Sequence, residues 1–188
     1  MQVLRGIREF LVLNPHEVLI IIIQDEGVRP QDIEACFVKS GLIDFVYHGR
    51  VTPPWPTLRE MVADDERVLV TAENETEGVS WIHPAFEVVQ ETRYRFHDLS
   101  EFSCKPNRGG TAGSLLLLNH WIETAPAPRP SNAEVVNAYE FLLARARQCG
   151  KERGRLPNLI AVDFYRTGDV IGAARTLNGI GEPHETER

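Results

Sequence analysis

Three features of this 188-residue chain predict an α/β fold built on parallel strands. The first is the run Val18-Leu19-Ile20-Ile21-Ile22-Ile23, which stops at Gln24-Asp25-Glu26-Gly27. A continuous, non-alternating apolar run is the pattern of a strand buried on both faces. The second is recurrence. Val68-Leu69-Val70-Thr71-Ala72 ends at Glu73, Leu115-Leu116-Leu117-Leu118 ends at Asn119-His120, and Leu159-Ile160-Ala161-Val162 ends at Asp163. The third is that helical spacing fills much of the sequence between these runs. Strands alternating with helices form parallel sheets, which place their chemistry at the strands' carboxyl ends. Four polar endings therefore predict one mouth lined from several strands.

Each element has its own signal. Val3, Leu4, Ile7, Phe10 and Leu11 have the spacing of an amphipathic helix, which Asn14-Pro15 ends. Pro30 opens a second helix through Ile33, Phe37 and Val38, and Gly41 stops it. Cys36 falls in that helix and reads as a buried apolar residue. Thr57 to Val62 is a short helix after Trp55-Pro56. Residues 75–113 are irregular, with a short strand around Tyr94 to Phe96. Ser131 caps a helix running to about Gln148, with Glu134 completing a capping box. Residues 150–157 read as a polar linker. A last helix covers Asp169 to Leu177, and residues 179–188 read as a disordered tail.

The formal net charge is −7 and the isoelectric point is near 5.4. That argues against nucleic acid as a partner, because phosphate backbones require a basic face. No apolar run approaches the length of a membrane span, and no signal peptide is read at Met1. With Met1 as the start, the chain reads as soluble, and its compartment is left open. The three cysteines fit no zinc motif. Full reduction and a Cys104–Cys149 disulfide are equally compatible with their placement.

Length predicts one domain. A complete eight-stranded barrel typically needs about 250 residues. Five β/α units cannot close such a ring, so an incomplete barrel leaves two sheet edges for self-association.

Several stretches carry a family resemblance. They are Asn14-Pro15-His16-Glu17-Val18, Trp55-Pro56-Thr57-Leu58, Cys104-Lys105-Pro106-Asn107-Arg108-Gly109, Asn119-His120-Trp121 and residues 157–165. In this order they resemble the latter part of a PLC-like phosphodiesterase. That superfamily holds phosphatidylinositol-specific phospholipase C and the glycerophosphodiester phosphodiesterases, on a TIM barrel. The resemblance implies that residues 1–178 correspond to about the last five β/α units. It also implies a phosphoric diester hydrolase acting on a lipid or glycerophospho substrate in lipid metabolism. The family uses two histidines from its first strands as general base and general acid. No match to them precedes the isoleucine run, and His97-Asp98 comes too late. The chain alone is therefore expected to be inactive.

The resemblance assigns roles at the strand ends. Asp25, Glu26 and Glu73 become candidate metal ligands, their hard oxygens suiting calcium or magnesium. A solvated loop or a structural ion pair is the alternative for them. Asp163 becomes the carboxylate that orients the general-base histidine. Asn119, His120, Tyr165 and Arg108 become substrate contacts, with Arg108 bringing a guanidinium to phosphate. A structural role for His120 and a surface turn at Arg108 are the alternatives. Two other functions fit the pattern. One is a non-catalytic α/β binding module. The other is a metal-dependent hydrolase using Asp25, Glu73, His120 and Asp163.

Overall fold

The computed structural model describes residues 1–180. They form an α/β fold with six strands, all in parallel sheets, and seven α-helices. The chain divides into two compact units, one ending at Val88 and the other starting at Val89.

In the first unit, helix α1 (Gln2–Leu13) precedes strand β1 (Leu19–Ile23). Then come α2 (Pro30–Ser40), α3 (Leu58–Ala63), β2 (Val68–Ala72), β3 (Ile82–Pro84) and the short α4 (Ala85–Val88). The sheet order is β1-β2-β3, with Leu19 opposite Val68 and Val70 opposite Ile82. Central β2 is buried at all five positions, whereas the isoleucines of β1 are only partly buried. The continuous apolar run is thus an edge strand here, and the prediction of full burial holds for β2 instead.

Local signals account for the helices. Pro30 sits at the start of α2, and Gly41 ends it in the left-handed region at φ 73°. Thr57 and Glu60 form a reciprocal capping box on α3. Cys36 is only partly buried, not enclosed as expected. Leu11, Phe37, Leu42, Val68, Val70 and Trp81 belong to one apolar core. Arg67 is 3% exposed. Its guanidinium donates to the carbonyls of Leu11 and Asn14, both at 3.1 Å, and so ties the end of α1 to the start of β2.

The second unit contains β4 (Val89–Glu91), β5 (Leu115–Asn119), α5 (Pro130–Val136), α6 (Tyr139–Arg153), β6 (Leu159–Ala161) and α7 (Val170–Leu177). The order is β4-β5-β6, with Glu91 opposite Leu117 and Asn119 opposite Ala161. The disulfide Cys104–Cys149 joins the loop after β4 to α6, which resolves the equal alternatives. Leu118, Leu142, Ala146 and Ala173 pack around it.

Three sequence expectations change here. A strand lies at Val89–Glu91 rather than around Tyr94 to Phe96. The helix expected from Ser131 to Gln148 is two helices. Pro130 occupies the first turn of α5, so Ser131 is already inside the helix and cannot cap it. The chain breaks at Asn137, and Ala138 is extended at ψ 134°. The expected linker at 150–157 is partly helix, because α6 runs to Arg153 and Gly154 closes it at φ 68°. Of the tail expected at residues 179–188, residues 181–188 lie outside the described residues.

Candidate functional site

The carboxyl ends of β4 and β5 meet at a buried acid. Glu91 is the last residue of β4 and is 1% exposed. Its Oε1 accepts from Asn107 Nδ2 at 2.7 Å and Arg108 Nε at 2.6 Å. Its Oε2 accepts from Arg108 Nη2 at 3.1 Å and Asn119 Nδ2 at 3.0 Å. The backbone repeats the connection, since Glu91 N–H donates to the Arg108 carbonyl and Asn107 N–H to the Glu91 carbonyl. The loop bearing Asn107 and Arg108 is therefore docked on the strand end and is not a loose surface turn. These donors satisfy the carboxylate oxygens and offset the cost of burying them.

Arg108 is held at the edge of this network. Its side chain is 37% exposed and its guanidinium carbon lies 5.0 Å from the centre of the Tyr94 ring. Tyr94 in turn stacks against Trp121 with centroids 6.4 Å apart. A cleft of about 430 Å³ nearby in sequence is lined by Arg93, Arg95, Phe96, His97 and Glu101.

Asn119 links Glu91 to a second buried group. Its amide nitrogen also donates to the Thr92 carbonyl at 2.8 Å, and its own carbonyl accepts from Arg145 at 2.7 Å. His120 is wholly buried. Its Nε2 lies 2.7 Å from the Val136 carbonyl and its Nδ1 lies 2.8 Å from Arg145. A carbonyl only accepts and a guanidinium only donates, so the neutral ring carries its proton on Nε2. Burial pushes the imidazole down to about 4, with Arg145 adding to the shift against the Val136 hydrogen bond. Phe102 and Phe141 pack around the ring. Both ring nitrogens are thus committed to protein partners.

Asp163 follows β6 by two positions and is half-buried; burial raises its carboxyl above the ordinary range. Among the described residues no donor reaches that carboxylate. Tyr165 is 58% exposed, and its hydroxyl accepts from Arg166.

In the other unit, Asp25 is 2% exposed. Its Oδ1 accepts from the amides of Glu73 at 2.9 Å and Asn74 at 3.0 Å, and from Asn74 Nδ2 at 3.2 Å. Its Oδ2 accepts from the Glu75 amide at 2.8 Å. Burial alone would raise this carboxyl, but the hydrogen bonds from Glu75 and Asn74 outweigh it and hold it below its usual range. Glu26 is exposed and Glu73 half-buried. These three acids were expected to ligate a metal. Among the described residues no three or more His, Cys, Asp or Glu side chains gather as a cation site.

Comparison with known proteins decides the family. The family model described as PI-PLC X 1 matches residues 1–178. The chain belongs to the PI-PLC X family. A PI-PLC X domain-containing protein of Arabidopsis thaliana is 28% identical over 195 residues, covering 96% of this chain and 44% of that protein. PI-PLC X domain-containing protein 1 of Arthroderma benhamiae is 26% identical over 194 residues, covering 94% of this chain and 64% of that one. An uncharacterized secreted protein of the same fungus is 26% identical, with 46% of its length covered. This PI-PLC X chain thus spans about half the length of the curated relatives it matches. No solved structure matches it. No helix among the described residues is long and apolar enough to cross a membrane.

The structure joins Arg108, Asn119 and His120 through two residues that sequence reasoning passed over, Glu91 and Arg145. Asp163 and Tyr165 share the loop after β6, and Asp25 binds the Glu73 amide. Only the apolar pair Val88-Val89 before Gln90-Glu91 hinted at β4. A three-residue strand has too little length to display a period.

Proposed function

We propose that this PI-PLC X chain belongs to a phosphoric diester hydrolase of the PLC-like type, acting on a lipid or glycerophospho substrate. In this reading it is the latter part of a TIM barrel. It supplies substrate phosphate binding and one positioning carboxylate, Asp163. The family's general base and acid have no match in these residues, so this reading gives the 188-residue chain no proton-transfer pair and no activity alone. Asp25 serves as the organiser of the loop after β2.

The observation that carries the reading is the Glu91–Arg108 pair at the carboxyl ends of parallel strands. A guanidinium fixed by a buried acid and stacked on Tyr94 is pre-oriented for an anion at low entropic cost. Arg93 and Arg95 add positive charge after the same strand within an acidic chain.

Calorimetric titration with glycerophosphoinositol and glycerophosphocholine tests it. Binding by the 188-residue chain that weakens at least tenfold in Arg108→Ala is expected. No binding to either compound, or equal binding by the variant, would overturn the assignment of Arg108.

A further inference from the structure

The break between α5 and α6 has a specific partner. Asn137 is wholly buried and closes α5 through its own N–H, which donates to the Ala133 carbonyl at 2.9 Å. Its side-chain Nδ2 donates to the Asp163 carbonyl at 2.9 Å and reaches the Phe164 carbonyl at 3.4 Å. Its backbone carbonyl accepts from the Asp169 amide at 3.0 Å. One residue thus grips both ends of the loop from Asp163 to Asp169.

The conformation between those two grips is unusual. Phe164 has φ 50°, a left-handed value that a residue with a Cβ rarely adopts. Phe164 is 42% exposed, so side-chain packing does not enforce the backbone. What holds it is hydrogen bonding, from Asn137 and from the Thr167 amide at 2.7 Å to the Phe164 carbonyl. Gly168 passes so close that a Cβ there would lie 2.3 Å from the Asn137 carbonyl oxygen. A strained residue over-determined by its surroundings is a pointer to function. This one directly follows the carboxylate assigned to positioning chemistry.

We propose that Asn137 is a positioning residue for Asp163, holding Phe164 left-handed so that the preceding carboxyl keeps one orientation. The inference rests on the reading of Asp163 given under the proposed function. The helix break follows from it. If α5 ran on into α6, the Asn137 carbonyl would bond along the helix instead of to Asp169. The raised titration of Asp163 is consistent with a half-buried pose that the clamp maintains.

The test is carbon-13 NMR titration of the Asp163 carboxyl together with amide exchange in the full chain. In Asn137→Ala the Asp163 titration should fall toward the ordinary aspartate value. The Thr167 and Asp169 amides should exchange at least tenfold faster, while the amides of Leu142 to Cys149 keep their protection. Should Asn137→Ala fail to fold, Asn137→Ser is used, because serine tolerates the helix end but is too short to reach Asp163. Adding Phe164→Gly removes the backbone strain. It should recover thermal stability without restoring the Asp163 titration, which a merely structural role for Asn137 would not produce. Unchanged titration and exchange in the folded variant, or recovery of both by Phe164→Gly, would overturn the proposal. Asp163→Asn, assayed for glycerophosphoinositol binding in the 188-residue chain, reports separately on the function assigned to Asp163. A clamp that stands while Asp163→Asn is silent would sink that function and leave the geometry of the clamp intact.

Discussion

Arg108 and Glu91 stand 17 residues apart in the chain and their side chains are joined by two hydrogen bonds, at 2.6 and 3.1 Å. The acid is almost fully enclosed and the base is partly open to solvent. This asymmetry gives the pair its character. Glu91 requires Arg108, Asn107 and Asn119 to offset its desolvation, whereas Arg108 keeps a face toward solvent and the Tyr94 ring.

Glu91→Gln removes the charge that organises three donors. It should destabilise the protein by about 3 kcal/mol, the range for breaking a buried pair on one side. Combining it with Arg108→Met should cost less than the sum by about 1–2 kcal/mol, a value reduced for the exposure of Arg108. Urea denaturation of the four proteins checks this. Strict additivity would mean that the pair does not couple.

Asp25→Ala leaves the amides of Asn74 and Glu75 without their acceptor and takes from the Glu73 amide one of two, the other being the Ile23 carbonyl. We expect a loss of about 2–3 kcal/mol, since water can reach part of that loop. Exchange of those three amides should accelerate. Asn at position 25 should recover part of the loss, because its carbonyl oxygen still accepts.

Stability should fall on acidification through two groups with the same sign. The His120 imidazole is lowered to about 4 by burial, from an ordinary 6.5. A group depressed on folding contributes fully above its unfolded value, so this contribution is complete above about pH 6.5 and is lost as pH falls toward 4. The size is roughly 3 kcal/mol from the shift. Asp25, also depressed, extends the loss below the usual carboxylate range. Chemical denaturation between pH 7 and 4 should show the first step, and His120→Gln should shrink it, leaving the smaller part that comes from His83, whose imidazole burial also lowers.

Reduction of Cys104–Cys149 releases a constraint spanning 45 residues. The chain-entropy relation puts this at about 4 kcal/mol. The thermal midpoint should drop markedly in dithiothreitol and in Cys149→Ser. An unchanged midpoint would mean that the bond adds nothing beyond packing.

Much of the fold was legible along the chain. The long apolar runs mark β1, β2, β5 and β6, and Pro30, Gly41 and Thr57 mark helix ends, because each signal is local. The ordered motifs were sufficient to point to the family. Candidate residues were legible as positions at the strand ends. His120 ends its strand as expected, yet burial and two hydrogen bonds make it part of the interior.

What the sequence by itself determined is where the chain forms apolar strands and capped helices, since transfer from water and backbone capping act over a few residues. The tertiary structure decided which polar groups meet. Glu91 lies in a strand too short to show a period, and its partners come from Asn107, Arg108 and Asn119. Asn137 sits in a stretch with good helical spacing, yet α5 ends before it and its side chain donates to Asp163, 26 residues away. Such contacts depend on strand pairing and loop docking, which bring distant donors to a buried acceptor, and no local pattern encodes that encounter.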